Sequence, residues 1–242
     1  MVYQAQLVGV FGPLLVTSTG ESIQDQREVA MELRLRVEPS RAFRDGSYGR
    51  LIHVESANLS QKTDGALSPL EGHLVGRTVE LRTFPDGEIL DISWADKVAG
   101  PSRYLDVFEV IYPALSPAAP SISEGEAVKQ RIIWPFRQEN ELRWDNIVDA
   151  VWRNHGQDNI RQVETWRLSY EGAWGTEGKT RRASPAREWK ASGKAKGTAH
   201  FDRRSSDLVS HSIDWSRVVT VAGVAGKLTQ SQQFSGSVER LP

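Results

Sequence analysis

Val29-Ala30-Met31-Glu32-Leu33-Arg34-Leu35-Arg36-Val37-Glu38 alternates apolar and mostly charged residues without a break. Successive side chains on a strand point to opposite faces. Val29, Met31, Leu33, Leu35 and Val37 therefore share a core side, and Glu32, Arg34, Arg36 and Glu38 face water. A helix would smear the same residues around its whole circumference. This stretch reads as a half-buried antiparallel strand, and the rest of the chain follows the same logic.

Arg77-Thr78-Val79-Glu80-Leu81-Arg82-Thr83-Phe84 runs into Pro85-Asp86-Gly87 and resumes as Glu88-Ile89-Leu90-Asp91-Ile92. Proline presets φ for a turn and glycine supplies the positive φ, so this predicts a hairpin. Tyr112-Pro113-Ala114-Leu115-Ser116-Pro117-Ala118-Ala119-Pro120 belongs to no strand interior or helix, because its prolines remove backbone donors. It is read as a connector between an N-terminal β half, 1–121, and a C-terminal β half, 122–242. A new strand is expected after Ser123-Glu124-Gly125-Glu126, with Val128, Gln130, Ile132 and Trp134 on one face.

In the second half Trp166, Leu168 and Tyr170 alternate with polar neighbours. Ala191, Gly193, Ala195, Gly197, Ala199 and Phe201 then line one face of a strand that carries Lys194 and Lys196 on the other. A face of such small residues implies that something approaches closely: a curved sheet, another element or a ligand. A turn at Asp202–Asp207, a strand over Leu208–Val221 and a last strand over Lys227–Leu241 complete the layout. Gly76–Ile92 and Gly197–Ile213 share a strand–turn–strand plan, which raises an internal duplication. Ala95–Val110 and Arg143–Trp152 are the two candidate short helices, the second also fitting a strand.

The 242 residues include 30 Lys+Arg against 31 Asp+Glu, 5 His, 8 Trp and no Cys. The absence of Cys excludes disulfides, thiolate metal sites and Cys nucleophiles. The net charge of −1 excludes a chain that seeks polyanions as a whole. Its distribution is uneven, with 11 basic and 16 acidic residues before 122 and 19 and 15 after. The longest apolar run, Leu7–Val16, is well short of the ~20 residues of a spanning helix. No basic residue precedes Arg27, so the start lacks the n-region of a signal peptide. The chain is accordingly either cytoplasmic or an exported protein whose leader lies before Met1.

Ala173-Trp174-Gly175-Thr176-Glu177-Gly178-Lys179-Thr180 satisfies a loose phosphate-loop pattern. The half-polar strand before it and the proline-bearing segment after it are not the buried strand and helix such a loop needs. A nucleotide-binding enzyme is thus the least favoured function. From Glu177 to Arg204 nine basic residues, among them Lys179, Arg181, Arg182 and Arg187, form a candidate surface for an anionic partner or membrane. No nucleic-acid module accompanies it, and no nucleic-acid partner is expected. The five histidines have no metal-ligand spacing, no Gly-x-Ser-x-Gly elbow occurs, and no cofactor or catalytic residue is assigned. Trp166, Trp189, Phe201 and Trp215, with Ala195 and Gly197, are the candidate lining of an apolar groove. Their plainer role is core filling, large rings against small residues.

The order of a β half, then Phe108-Glu109-Val110-Ile111-Tyr112-Pro113-Ala114-Leu115, then Ile122-Ser123-Glu124-Gly125-Glu126 opening a second β half, resembles duplicated β-rich envelope proteins and lipoproteins of Gram-negative bacteria. In layout it is similar to the LolA/LolB-like lipoprotein carriers, whose curved half-barrel sheet wraps an acyl chain. The resemblance implies a periplasmic or outer-membrane-associated, non-enzymatic protein that binds a lipid or other hydrophobic ligand. An assembly component that docks envelope protein partners is the alternative. The expected fold is mainly β, two curved antiparallel half-barrels with a few short helices and about a dozen strands or more.

Overall fold

The computed structural model describes every residue except 40, 64–65, 70–73, 85–88, 96–120, 139–141, 181–187 and 224–225. Its strands are β1 (Val2–Phe11), β2 (Leu14–Val16), β3 (Ser22–Gln24), β4 (Arg27–Val37), β5 (Arg41–Ala42), β6 (Tyr48–Thr63), β7 (Ala66–Pro69), β8 (Thr78–Thr83), β9 (Ile89–Trp94), β10 (Ala127–Gln138), β11 (Leu142–Ile160), β12 (Val163–Thr180), β13 (Glu188–Asp202), β14 (Leu208–Gly223) and β15 (Gly226–Arg240).

The main path runs β10-β11-β12-β13-β14-β15-β1-β4-β6-β8-β9, antiparallel at every step. Its two ends, β9 and β10, lie against each other, which makes a nearly closed barrel of eleven strands. The short strands β2, β3, β5 and β7 hang on β15 and β6. The two expected half-barrels are therefore one sheet, joined where β1 pairs β15 from Tyr3↔Arg240 to Phe11↔Gln232. That junction brings residues from the two ends of the chain together, and nothing local in either strand announces its partner.

Among the described residues there is no helix. Arg143–Trp152 falls within β11, because Asn146, Val148, Ala150 and Trp152 all point inward with period two. The other candidate helix, Ala95–Val110, lies beyond Ala95 outside the described residues, as does the Pro-rich connector. The hairpin expected over 77–92 is present as β8 and β9, its turn outside the described residues. The strands expected after Glu126, over 208–221 and over 227–241 are β10, β14 and β15.

Inward and outward faces divide cleanly. Leu33, Leu35, Met31, Leu7, Trp152, Trp174 and Phe234 are among the buried side chains. The opposite faces carry Glu32, Arg34, Arg36, Arg131, Asp149, Lys196 and Asp214, several as exposed ion pairs such as Arg131–Asp149 and Lys196–Asp214. A lipid-facing barrel requires the reverse, an apolar band outside. The long strands keep this division with bulges. In β6, Glu55 is the extra residue between the pairs Leu35↔Val54 and Arg34↔Ser56. It shifts the inward set from Ile52 and Val54 to Ala57 and Leu59.

Candidate ligand site inside the barrel

Cross-strand register stacks the inward residues in rows. One row is Trp152, Tyr170, Gly197, Ile213, Gly236 and Leu7 on β11, β12, β13, β14, β15 and β1. The next is Ala150, Gly172, Ala195, Trp215, Phe234 and Gly9, and the third Val148, Trp174, Gly193, Arg217, Gln232 and Phe11, extended by Arg27 on β4. Large side chains on one strand lie beside glycine or alanine on another. Trp174 packs edge-on against Trp215 at 5.2 Å between ring centroids and lies 5.9 Å from Phe234, while Trp152 lies 4.6 Å from Tyr170. The small-residue face of β13 is thus occupied by its neighbours' side chains. A Cβ on Gly197 would stand 2.7 Å from the Tyr170 ring.

Gly193 explains the most unexpected feature. A Cβ there would stand 1.8 Å from the Ser216 carbonyl oxygen and 2.5 Å from the Cα of Arg217. With no side chain between them, the Arg217 guanidinium crosses β13 and lies 4.2 Å from the centre of the Trp174 ring. Its Nη1 donates to Asn146 Oδ1 at 3.1 Å and Thr176 Oγ1 at 3.0 Å, and its Nε donates to Gln232 Oε1 at 2.8 Å. Thr176 Oγ1 in turn donates to Asn146 Oδ1 at 2.7 Å, and Trp174 Nε1 does so at 3.3 Å. Gln232 Nε2 donates to Gln230 Oε1, whose own amide donates to the Gly12 carbonyl. On the same row the Arg27 guanidinium stacks over Phe11 at 4.4 Å.

Beyond this polar layer, towards the ends of β13, β14 and β15, the inward residues are apolar. Trp189, Ala191, Val219, Val221 and Leu228 keep partial exposure, unlike the buried rings of the rows below. Below the rows lies a second polar pair. Tyr170 Oη sits 3.1 Å from His211 Nε2 and accepts from Trp215 Nε1 at 2.9 Å. Burial pushes the Tyr170 hydroxyl above its ordinary value, with the Trp215 bond acting the other way. His211 is buried, whereas His200 lies on the outer side with Ser210 and Asp158.

The six groove candidates all lie on the inner side of β12, β13 and β14, but they do not converge. Trp166 and Phe201 are register partners near one end, Ala195 and Trp215 partners in the middle, and Trp189 sits at the other end. At ~3.3 Å per residue, Trp189 and Phe201 are roughly 40 Å apart along β13. Ala195, Phe201 and Trp215 are buried in the core, and Trp166 packs against it beneath the Arg203 guanidinium. Lys179 lies at the end of β12, and Arg181, Arg182 and Arg187 lie outside the described residues. The phosphate-loop pattern at 173–180 is strand, laddered to β11 and β13. Its amides face neighbouring strands and form no phosphate cradle. Arg217, Asn146, Thr176 and Gln232 were not singled out by the sequence. The available signal was Arg217 itself, a charge in phase with Ile213, Trp215 and Val219.

Two open hollows occur on the outer face among the described residues. One of about 680 Å³ is bounded by Arg153, Glu171, Lys196 and Asp214, and one of about 430 Å³ by Gln6, Glu32, Asn58 and Ser235. Both lie over the inward glycines Gly197 and Gly236, where the sheet dips.

Fold and interior define an antiparallel β-barrel with a packed apolar core, a charged exterior and a polar layer beneath one end. No family model matches the chain, and no curated protein matches it. Among solved structures, a chain reported under the words "asymmetric conductivity of engineered proteins" aligns over 97% of this chain and 99% of its own, at 9% identity and TM-score 0.24. Two mutants of the porin of Rhodopseudomonas blastica align over 99% of both chains, at 9% identity and TM-score 0.22 and, for a triple mutant, over the same share. Likeness at that level carries neither identity nor activity to this chain.

Proposed function

We propose that this is a non-enzymatic binding protein of the bacterial cell envelope. In this reading it takes the apolar chain of a lipid or similar amphiphile into the end of the barrel lined by Trp189, Ala191, Val219, Val221 and Leu228. The observation that supports it is the partial exposure of inward-facing apolar residues at that end, while the rings of the rows beneath are buried. Apolar surface left accessible inside a barrel with a charged exterior gains ~25 cal/mol for each Å² that a ligand covers. The charged outer face fits a protein that works in water, at or near a membrane rather than through it.

The test is native mass spectrometry, with organic extraction, of protein purified without detergent. A mass excess matching a lipid, reduced in Val219→Glu, is the expected result. A clean apo mass that stays clean after incubation with lipid vesicles refutes the reading. The assembly alternative has its own support in the filled middle of the barrel and the two polar outer hollows. Under it, substitutions at Lys196 and Asp214 would abolish capture of an envelope partner, while Val219→Glu would not. The basic residues Lys179, Arg181, Arg182 and Arg187 are proposed to meet an anionic partner or membrane surface as an aid to either role, tested by salt-sensitive binding to vesicles containing anionic lipid.

A further inference from the structure

On the outer face, register aligns polar side chains strand after strand. Arg153 on β11, Ser169 on β12, Thr198 on β13, Ser212 on β14, Ser237 on β15 and Gln6 on β1 are successive partners. The row continues to Glu32 on β4 and Asn58 on β6. Every one of these residues lines one of the two outer hollows, and none of them is buried. The hollows adjoin where Ser212 pairs Ser237, and together they form one shallow track across the strands. At ~4.8 Å between neighbouring strands, the track runs for roughly 34 Å from β11 to β6.

The lining mixes both kinds of hydrogen-bonding group. Arg153 and Lys196 only donate, Glu171, Asp214 and Glu32 only accept, and the Ser and Thr hydroxyls and the Gln6 and Asn58 amides do both. An anion would meet Glu171 and Asp214, and a metal ion would meet Arg153 and Lys196. A ligand matches such a rim when each of its own polar groups both donates and accepts, as the hydroxyls of a sugar do. The rim is also open to exchange of partners. Lys196 and Asp214 pair at 2.9 Å with both side chains more than 60% exposed, and exposed pairs of this kind contribute little to stability. Val151, Val8 and Ala30 stand half-buried beside the row and offer apolar surface to the C–H face of a sugar ring. Among the described lining residues no aromatic side chain projects outward, since Tyr170, which borders the first hollow, turns its ring into the core. The bulky aromatic anchors that centre many protein interfaces are therefore missing from the track, which favours a polyhydroxylated chain over a polypeptide.

We propose that this outer track binds an extended, uncharged glycan chain, laid across the strands with on the order of one sugar ring to each strand. A polar row at constant spacing selects such a polymer by its length as well as its chemistry, because each further ring meets the side chain of the next strand. The site goes beyond acyl-chain binding and does not depend on it. Its residues face outward, whereas Val219, Val221 and Leu228 of the apolar end face the interior of the same sheet.

The experiment measures calorimetric affinity of chitohexaose and cellohexaose, two extended uncharged hexasaccharides, and of the corresponding disaccharides, for wild type and Ser212→Ile. Isoleucine suits a strand and Ser212 is exposed, so the variant removes the hydroxyl and blocks the middle of the track without touching the core. Wild type should bind one hexasaccharide at least about tenfold more tightly than its disaccharide, equivalent to ~1.4 kcal/mol. Ser212→Ile should lose that preference. Equal affinities for the long and short chains in wild type overturn the track, and so does a preference that survives in Ser212→Ile. Binding of neither hexasaccharide at about 1 mM overturns the proposal outright, and an envelope protein captured through Lys196 and Asp214 then gives this face to the assembly reading. If the variant does not fold, amide NMR of wild type with the hexasaccharide decides. Shifts at Thr198, Ser212 and Ser237 support the track, and shifts confined to Val219, Val221 and Leu228 refute it.

Discussion

Gly193→Ala is the substitution that most directly probes how the interior is built. The added methyl would meet backbone on β14, 1.8 Å from the Ser216 carbonyl oxygen and 2.5 Å from the Arg217 Cα. No side-chain rotation relieves such a contact, so β13 and β14 must separate locally. Overpacking of a core by one methyl costs about 1–3 kcal/mol, and a backbone collision belongs at the upper end. For a chain of this size each kcal/mol moves Tm by roughly 2–4 °C, which gives a fall of roughly 6 °C or more. Gly175→Ala is the matched control on β12. Its methyl would find only the Ala191 carbonyl oxygen, at 3.8 Å, and replacing a strand glycine there relieves about 0.5–1 kcal/mol of backbone entropy cost. Its Tm should rise by about 1–4 °C. Differential scanning calorimetry of the three proteins at one pH is the assay. Equal Tm for Gly193→Ala and wild type, or the two substitutions moving Tm in the same direction, would refute the close β13–β14 approach that lets Arg217 cross.

Trp174→Ala removes a buried ring that packs on Trp215 and Phe234 and carries the Arg217 guanidinium. A loss of about 3–5 kcal/mol in urea unfolding is expected, and a loss under 1 kcal/mol would mean the ring is not packed as described. Tyr170→Phe deletes the oxygen shared by Trp215 Nε1 and His211 Nε2, so about 1–3 kcal/mol should be lost with the fold retained. His200 is held below its ordinary value mainly by burial, with Asp158 opposing. Folding is therefore favoured above the unfolded value near 6.5 and loses that contribution as pH falls through the lower folded pKa. NMR titration should place the His200 midpoint below 6.5. Asp202 is also held low, chiefly by the Arg204 backbone N–H and also by Arg240. Its contribution is present above the unfolded value near 3.8 and lost as pH falls below it. Asp202→Asn should consequently lower Tm at pH 7 and lower it less at pH 3.

Much of the strand order was legible because alternation is a local signal. Val29–Val37 and Trp166–Tyr170 each declare two faces, and the strand starts after Glu126 and Asp207 follow turn-forming residues. The strongest inference from sequence was that the small face of β13 demands a close neighbour. The neighbours prove to be the Tyr170 ring beside Gly197 and the backbone of β14, with Arg217, beside Gly193. Their identity was not legible, since it depends on which residues of β12 and β14 fall into register with those glycines.

Helix against strand for Arg143–Trp152 was also undecided locally. Its tryptophans and aliphatics suit either period until β10 and β12 pair on both sides of it. The candidate site shows the same divide. The inward phase of Arg217 can be read from Ile213, Trp215 and Val219, but its partnership with Asn146 spans 71 residues and three strands. Sequence by itself determined the period-two pattern, and with it an antiparallel sheet with one apolar and one charged face. Only the tertiary structure decided that the two halves join through β1 and β15 and that β9 and β10 meet, making a single nearly closed barrel. Closure, register and the burial of a cation depend on pairings between distant segments, whose free energy no local window of sequence contains.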